Sequence, residues 1–433
     1  MSHDRFTSKH PIADSLWHAE ARNPVVSHEL EPGRHFDVAI IGAGVVGASC
    51  ALRLQEAGVS VGVVDADEPG SGATGRSAGF VVPSFSAVSP RALTESMGED
   101  AEHLLRAVAG SASLLFDFVR SHGIACDAEQ GGWHHPAHSA EALERILADF
   151  EVWRGAGADI AVLDSADTER LSGIRGYSGC VVARSGGTLQ PVDLARGAMN
   201  AAIEKGARFY GYCPAHGIEH REQRWHVRTE KGSLSSDRLL VCTNARSAQL
   251  GHGLEECVVP LRICQIATEP LAKSQRAHLL QQGQSLADTQ TNLFTYRFDS
   301  EWRLITGAMP VLPVGSGDSI ARAMAQRLAS VLSLPAVPRV EHVWFGEASV
   351  TGDRLPAVYD IGPDAFAMTA CNGRGLAASS MLAARMVDAL LSDDLSRLPL
   401  RPVSPQRIPA RPLQKLGARL YPLYGRTRDA LGL

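Results

Sequence analysis

The stretch from Phe36 to Asp65, FDVAIIGAGVVGASCALRLQEAGVSVGVVD, decides the fold that we predict for the chain. A β-branched run over 38–41 predicts a strand, residues 48–57 predict a helix, and residues 59–64 predict a second strand that ends at Asp65. Strand, helix and strand in this order form one βαβ unit of a parallel sheet. We therefore predict an α/β fold that contains a Rossmann-type domain.

Three glycines occupy the turn between the first strand and the helix. Gly42, Gly44 and Gly47 form G-x-G-x-x-G, in which the first permits the turn, the second lets the backbone approach a pyrophosphate, and the third lets the helix pack closely. The helix N-terminus offers free N–H groups, and Asp65 is placed to bind ribose hydroxyls. The pattern predicts a site for an ADP-containing cofactor. The alternative is a glycine-rich turn in some other α/β protein.

The composition excludes several classes of function. A length of 433 residues suggests two or three domains, and 21% charged with 45% hydrophobic residues is ordinary for a globular protein. The net charge of −5 provides no basic field for nucleic acid. None of the eight cysteines forms a C-x-x-C pair, and no apolar stretch is long enough to span a membrane. We expect a cytoplasmic protein without a membrane span or a nucleic-acid partner.

Two further segments predict contacts with the cofactor. Residues 70–81 (GSGATGRSAGFV) are mostly Gly, Ala and Ser, with Arg76 as the one fixed charge, and they follow the second strand at the carboxyl edge of the sheet. A flexible surface loop is the alternative for this segment. Near the C-terminus, residues 372–375 (NGRG) separate a predicted strand from a helix that opens with small residues. A second helix N-terminus is therefore expected to face the same edge.

The remaining segments predict the second part of the protein. Alternating residues over 259–309 predict an antiparallel sheet with one face over a ligand. His134, His135 and His138 do not predict a metal site, because Pro136 interrupts any helix that aligns them and no cysteine or carboxylate completes a set. The proline-rich C-terminal tail is expected to wrap the surface.

With these segments in place, the chain resembles the FAD-dependent D-amino-acid-oxidase-like superfamily, which includes glycine and sarcosine oxidases, and within it the bacterial γ-glutamylputrescine oxidoreductases. The resemblance extends over nearly the whole chain, through FDVAIIGAGVVGASCAL, GSGATGRSAGF, GIACDAEQGGWHHPA, GGTLQPVDLARG, VCTNA, YRFDSEWRLITG, NGRGLAAS and LGARLYPLYGRTRDALGL. It implies a Rossmann-type FAD-binding domain with a discontinuous antiparallel-sheet substrate domain. The implied division assigns 36–90, 179–250 and 344–395 to the FAD-binding domain, 91–178 and 251–343 to the substrate domain, and 1–35 and 396–433 to extensions.

The resemblance also implies which residues bind FAD. The glycines would hold the pyrophosphate, and Asp65 would bind the adenosine ribose in a position where the family usually has Glu. Ala215 would contact adenine through its backbone. The strand-to-helix turn at 372–375 (NGRG), here called the second elbow, would contact the pyrimidine side of the flavin. The full implied set is Gly42, Ala43, Gly44, Val45, Val46, Gly47, Asp65, Ala66, Thr74, Arg76, Ser77, Ala78, Gly79, Ala215, Asn244, Gly373, Arg374, Gly375 and Leu376.

The implied reaction is oxidation of a C–N bond of a small-molecule amine by hydride transfer to the flavin. It yields an imine that hydrolyses, and oxygen or another acceptor reoxidises the flavin. Gln265, Tyr296 and Trp344 are the candidate pocket residues, and ordinary sheet packing is their alternative. FAD is expected to be non-covalent, because no cysteine lies over 265–370, although Cys371 adjoins the elbow. A nicotinamide-dependent dehydrogenase and a FAD-holding subunit of a multimeric amine dehydrogenase are the rival functions.

One departure from the superfamily indicates the substrate. In its amino-acid oxidases, an Arg follows the Gly of a W-x-G-x-R-like segment and binds the substrate carboxylate through two hydrogen bonds. Here residues 344–349 read WFGEAS, with Glu347 near the expected position of that Arg. We therefore expect an amine rather than an α-amino acid as the substrate. If Glu347 faced the pocket, it would attract a cationic amine and repel an α-carboxylate. The alternative is that Glu347 points to solvent and that Arg297 or Arg374 binds a carboxylate from another side.

Overall fold

The computed structural model describes residues 15–309, 317–369 and 372–430. Within these residues, strands form at β1 (His35–Ile41), β2 (Val61–Val64), β3 (Phe80–Val81), β4 (Trp133–Ala137), β5 (Ile160–Leu163), β6 (Gly179–Ala183), β7 (Gly187–Thr188), β8 (Arg208–Tyr210), β9 (Ala215–Arg221), β10 (Arg224–Thr229), β11 (Gly232–Val241), β12 (Val259–Pro270), β13 (Ser285–Ala287), β14 (Thr295–Phe298), β15 (Arg303–Ala308), β16 (Val340–Val350), β17 (Ala357–Gly362) and β18 (Ala365–Thr369).

Helices occur between these strands and at both ends of the described chain. They are α1 (Leu16–Ala19), α2 (Val45–Glu56), α3 (Pro90–Met97), α4 (Glu99–Ala109), α5 (Ser111–Ser121), α6 (Ala140–Gly155), α7 (Ser165–Ser172), α8 (Pro191–Glu204), α9 (Lys273–Arg276), α10 (Gly317–Val331), α11 (Gly375–Ser392) and α12 (Arg411–Ala430). No described helix is both long enough and apolar enough to cross a membrane.

The first sheet contains the predicted βαβ unit and has the order β17-β18-β11-β1-β2-β8. The pairs β1–β2, β1–β11, β11–β18 and β2–β8 are parallel, and β17 adds antiparallel at one edge. Side chains of β1 alternate between two cores: Val38 and Ile40 pack with the helices, whereas Ala39 and Ile41 pack with the β9–β10 hairpin side. Because the strands are parallel, their carboxyl ends meet at one edge of the sheet.

The second sheet has the order β16-β12-β15-β14-β13-β4-β6-β5. Its strands alternate side chains between two faces. One face, here called the rear face, packs on α10 through residues such as Cys264, Tyr296 and Leu304. The opposite face, here called the front face, carries Gln265 and Gly307, which lie opposite each other in the β12–β15 pair. The mixed α/β fold and its largely antiparallel second sheet match the predicted fold class.

Two strands lie outside the domain in which the sequence interpretation placed them. β6 and β16 were assigned wholly or largely to the FAD-binding domain, but both pair within the second sheet. These boundaries fall at motif edges, whereas pairing with strands that are distant in sequence determines which sheet a strand joins. The other proposed boundaries remain predictions.

Candidate active site

A large cavity of about 1470 Å³ lies between the carboxyl edge of the first sheet and the front face of the second. Most of the residues expected to bind cofactor or substrate line it: Gly42, Gly44, Val45, Val46, Asp65, Ala66, Thr74, Arg76, Ser77, Ala78, Ala215, Asn244, Gln265, Gly373, Arg374, Gly375 and Leu376. Five others are not part of its lining: Ala43, Gly47, Gly79, Tyr296 and Trp344. Segments from five regions of the sequence therefore meet at one site.

The three glycines of the turn between β1 and α2, here called the first elbow, have different physical roles. Gly42 has φ +101°, and a Cβ there would lie 2.8 Å from the Cys242 carbonyl oxygen. A Cβ on Gly47 would lie 1.9 Å from the Gly42 carbonyl oxygen, so the close packing of α2 on β1 requires glycine. A Cβ on Gly44 would meet only the Thr74 hydroxyl, at 3.1 Å. The fold therefore depends on Gly42 and Gly47, whereas Gly44 leaves open space that faces the cavity.

Asp65 closes the second strand of the βαβ unit beside this elbow. Its carboxylate accepts hydrogen bonds from the backbone N–H groups of Ala43, at 2.5 Å, and Asp67, at 2.9 Å. Burial raises the pKa of the Asp65 carboxyl to about 6, with Asp67 raising it further and the two backbone bonds and Arg246 opposing the shift. The position suits a carboxylate that accepts hydrogen bonds from ribose hydroxyls.

We expect the affinity for FAD to fall as the pH is lowered through about 6. The ionised Asp65 accepts ribose hydroxyl hydrogens, but its raised pKa lets the free protein take up a proton before the cofactor binds. Below the pKa of Asp65, FAD binding must displace that proton, which raises the Kd for FAD by up to about tenfold per pH unit. Fluorescence titration of the apoprotein with FAD between pH 5 and 8 measures this. Asp65→Asn should bind weakly at every pH, and a flat wild-type profile would contradict the assignment.

The loop 74–79 is held from behind by side chains that are distant in sequence. The Thr74 hydroxyl accepts a hydrogen bond from the Val45 N–H at 3.1 Å. The indole of Trp17 donates to the Ser77 carbonyl at 2.7 Å, and the indole of Trp344 donates to the Arg76 carbonyl at 3.2 Å. Trp344, predicted as a pocket residue, is thus fully buried behind the loop and does not line the cavity.

Arg297 anchors the other end of the same loop. This buried guanidinium donates hydrogen bonds to the carbonyls of Ala78 (3.3 Å), Gly79 (2.9 Å) and Leu189 (2.8 Å). Burial lowers the pKa of Arg297 to about 10, which leaves it charged at neutral pH. Because Nε and Nη1 are used by backbone carbonyls and Arg297 does not line the cavity, it is not the alternative carboxylate clamp that the sequence left open. Nothing in the sequence around Arg297 indicates this anchoring role.

The second elbow places the N-terminus of α11 at the cavity. Asn372 fixes its approach, since its side-chain oxygen accepts from the Thr351 N–H at 2.9 Å and its amide donates to the Leu355 carbonyl at 2.8 Å. Gly373 has φ +86°, and no side chain caps the first turn of α11. Cys371 lies outside the described residues. Among the described cysteines, Cys242 alone lines the cavity, beside Gly42 rather than beside α11.

Gln265 and Tyr296, the other two predicted pocket residues, lie on opposite faces of the second sheet. Gln265 lines the cavity and is 6% exposed, and its side-chain oxygen has no hydrogen-bond partner among the described residues. Tyr296 packs in the rear-face core, where its hydroxyl donates to the Ser172 carbonyl. The prediction for Tyr296 was wrong because alternation within a strand cannot show which face points to the ligand.

Glu347 does not meet the condition, facing the pocket, on which the expected attraction for an amine depended. Glu347 borders the cavity but pairs directly with Arg262, whose guanidinium stacks on Phe345. Strand alternation therefore directs the Glu347 side chain away from the front-face residues Ile263 and Gln265. This acid does not supply the attraction for a cationic amine.

The side chains of His134, His135 and His138, on β4 and the turn after it, point in different directions. His135 lines the cavity, whereas His138 hydrogen-bonds the Thr289 hydroxyl at 2.7 Å and does not line it. His134, between Trp133 and His135 on the strand, points to the opposite face. Over the described part of the chain, no group of three or more His, Cys, Asp or Glu side chains is arranged to hold a metal ion.

The C-terminal helix α12 forms part of the cavity wall instead of simply wrapping the surface. Gln414, Gly417, Ala418 and Tyr421 on one side of the helix line the cavity. Arg411 fixes its start by donating to the Val258 carbonyl at 2.9 Å. The proline-rich composition of the tail carried no signal for this position.

Comparison with known proteins identifies the family. A model of the FAD dependent oxidoreductase family, DAO, matches residues 37–389. The chain belongs to this family. It is 27% identical to the γ-glutamylputrescine oxidoreductase of Escherichia coli (strain K12) over 409 residues, which are 92% of this chain and 93% of the relative.

Solved structures share the fold. A crystal structure of glycine oxidase from Geobacillus kaustophilus superposes with a TM-score of 0.70 at 21% identity, covering 87% of this chain and 99% of that one. A crystal structure of L-proline dehydrogenase from P. horikoshii gives a TM-score of 0.69 at 15% identity, covering 84% and 95%.

The cavity of this DAO-family chain suits FAD on its own geometry. The turn at Gly44 and the N-terminus of α11, which no side chain caps, present backbone N–H groups at two places on the cavity wall. Such groups bind a pyrophosphate and stabilise negative charge on a flavin ring. Asp65 supplies the acceptor for the ribose. These features support FAD over a nicotinamide cofactor, as the family assignment does.

Proposed function

We propose that this protein oxidises the C–N bond of a primary or secondary amine, of the γ-glutamylputrescine type. Removal of a hydride from the carbon of the neutral amine leaves a protonated imine, which water converts to a carbonyl compound and an ammonium ion, or a primary ammonium ion where the substrate is a secondary amine. Bound FAD supplies the hydride acceptor, and oxygen, giving hydrogen peroxide, or another acceptor restores it. The observation that carries the proposal is one continuous cavity that joins both elbows to the Gln265 face.

Gln265 is our candidate for orienting the amine. Its amide lies against Gly307, where a Cβ would approach it to 2.5 Å, so the glycine makes room for this side chain. A buried acceptor without a partner costs about 1–3 kcal/mol, and an N–H of the substrate amine would satisfy it. An amine that arrives neutral needs no strong base beside it, which agrees with an amide in this position.

Anaerobic mixing of the purified protein with candidate amines tests the proposed function. We expect the visible absorption of the flavin to bleach with γ-glutamylputrescine or another primary or secondary amine. A spectrum without flavin would favour a nicotinamide dehydrogenase. A flavin that no amine or amino acid bleaches would favour a FAD-holding subunit instead. Acid precipitation in the same preparation should release yellow FAD into the supernatant, and colour retained in the pellet would show a covalent link.

Gln265→Leu is expected to lower kcat/KM for the amine roughly 10- to 100-fold, the loss of one or two hydrogen bonds to a polar substrate group. The leucine keeps the volume and removes the acceptor. Glu347→Gln is the matched control, because Glu347 lies on the opposite face of the adjacent strand. Equal losses in both variants, or none in Gln265→Leu, would contradict the role of Gln265. Stopped-flow flavin reduction measures both variants.

We also propose that the protein acts in the cytoplasm. The seven cysteines in the described part of the chain are all free thiols, which suits a reducing compartment. Cell fractionation with an antibody to the native protein tests this location.

A further inference from the structure

The front face carries one row of residues that crosses five strands in register. Gln265 pairs with Gly307, and Thr295 pairs with Ala287. The Gly307 N–H donates to the Thr295 hydroxyl at 3.4 Å, and the next ring, His135, bonds the Ala287 carbonyl at 2.6 Å. All five line the cavity. Three small residues thus form the floor of a groove with a larger polar side chain at each end.

The groove is long. Four strand spacings separate β12 from β4, and at about 4.8 Å each they give ~19 Å along the sheet. A carboxylate attached directly to the carbon that is oxidised cannot reach from one end of the groove to the other. A ligand that contacts both ends must be an extended chain.

The end beside β4 carries two arginines, Arg374 and Arg145, and two carboxylates, of which Asp149 accepts from the Ser89 hydroxyl and Asp288 from the Tyr177 hydroxyl and the Phe294 N–H. Arg374 uses one guanidinium nitrogen to donate to the Ser84 hydroxyl at 2.8 Å and the Phe85 carbonyl at 2.5 Å, and its charge lies 4.6 Å from the centre of the Trp133 ring. All these partners are neutral, and no described carboxylate forms an ion pair with Arg374. Its remaining N–H groups form the side-on pair that binds a carboxylate through two hydrogen bonds.

His135 and α6 complete this end. The His135 ring stacks on Trp133 with a centroid distance of 4.8 Å. Because its Nδ1 donates to a carbonyl, Nε2 carries a lone pair, and burial together with Arg374 and Arg145 lowers the pKa of His135 to about 3. Arg145 lines the cavity without an ion pair to any described residue, and Asp149, one turn later, is held by the Ser89 hydroxyl at 2.7 Å. A neutral imidazole leaves the positive charge of the arginines available to an anion.

We infer that Arg374, assisted by Arg145, binds a carboxylate at the end of the amine substrate remote from the C–N bond, while the chain between lies across Gly307, Thr295 and Ala287. The inference rests on the proposed function, since it takes the amine to be at the Gln265 end. It assigns the substrate class as extended amines with a distal carboxylate, in contrast to α-amino acids, whose carboxylate adjoins the reacting carbon.

The test compares γ-glutamylputrescine with its α-carboxamide analogue, in which only the anion is removed. For the wild-type holoenzyme, kcat/KM should favour the carboxylate form roughly 10- to 100-fold, as expected for charge-assisted hydrogen bonds. The preference should disappear in Arg374→Gln and shrink in Arg145→Gln, through KM rather than kcat. Arg262→Gln, on the rear face of the same sheet, should keep it. Equal use of both analogues by the wild type would overturn the inference.

Two further measurements separate this site from the flavin and from the proposed function. Hexanoate, which has no amine, should bind the wild-type holoenzyme in titration calorimetry and bind Arg374→Gln at least tenfold more weakly. Unchanged hexanoate binding with a lowered flavin midpoint potential would assign Arg374 to the cofactor and overturn the inference. If no amine bleaches the flavin but hexanoate binding still depends on Arg374, the proposed function fails and the anion site stands. Ala287→Phe should block the groove for long amines while short alkylamines still react.

Discussion

Replacing Gly44 with valine is expected to give a folded protein that does not retain FAD. The backbone at Gly44 is extended, with φ −72° and ψ −172°, which valine adopts without strain. The new Cβ would meet only the flexible Thr74 hydroxyl within the protein, but it would occupy the space where a pyrophosphate approaches the backbone. Loss of two charge-assisted hydrogen bonds, ~3 kcal/mol, weakens the Kd for FAD roughly 100-fold.

The measurement has two parts because the Gly44 variant must be shown to fold. Urea unfolding of the apoprotein should change by less than about 1 kcal/mol, the usual range for an unstrained surface substitution, while FAD occupancy after gel filtration falls sharply. Gly47→Val is the contrasting variant. Its Cβ would lie 1.9 Å from a backbone oxygen, so it should fail to fold with or without FAD. A Gly44→Val protein with full flavin content would show that the elbow does not hold the pyrophosphate.

Arg297→Met is expected to destabilise the protein by about 3 kcal/mol and to weaken FAD binding as well. The substitution keeps much of the side-chain volume but leaves the Gly79 and Leu189 carbonyls without their charged donor in a buried position. The loop 74–79 then loses one of its anchors, so the cost appears in cofactor binding in addition to stability.

Urea unfolding of the apoprotein and a fluorescence titration with FAD measure the two effects of Arg297→Met separately. Arg262→Met provides the control, because Arg262 is exposed and stacks on Phe345 on the rear face of the same sheet. Arg297→Lys should restore only part of the stability, since an ammonium lacks the planar fork that reaches several carbonyls. An unfolding midpoint equal to that of the wild type would mean that the loop does not depend on this guanidinium.

The predictions that the structure supports most directly came from local patterns. The βαβ unit, the glycine roles and the position of Asp65 depend on residues within about 30 positions of one another, and the steric demands of a tight turn and a closely packed helix act over that range. The second elbow at Gly373 could be predicted for the same reason, since a strand followed by Gly and a helix of small residues has few other local geometries.

The errors arose where pairing partners were needed. Gln265 and Tyr296 both carry a polar group and lie in strands whose side chains alternate between two faces. Nothing in either strand shows which face points to the ligand. Strand pairing decides this, because a shift of one residue in register exchanges the two faces. Strand pairing also decides whether Glu347 faces the pocket, which the sequence left open. Trp344 lies opposite Gln265 in the β12–β16 pair, but the Trp17 segment and the loop carbonyls cover it, and both are distant in sequence.

By itself, the sequence determined a βαβ unit with a glycine turn at the carboxyl edge of a parallel sheet and predicted a dinucleotide cofactor there, because glycine spacing and strand–helix order are local constraints. Only the tertiary structure decided what lies opposite that edge. The anchoring of the loop by Arg297, the row from Gln265 to His135 and the cation at Arg374 each require strands from separate regions to align in one register. That alignment is set by strand pairing and by packing of the whole sheet on α10, which no single segment encodes.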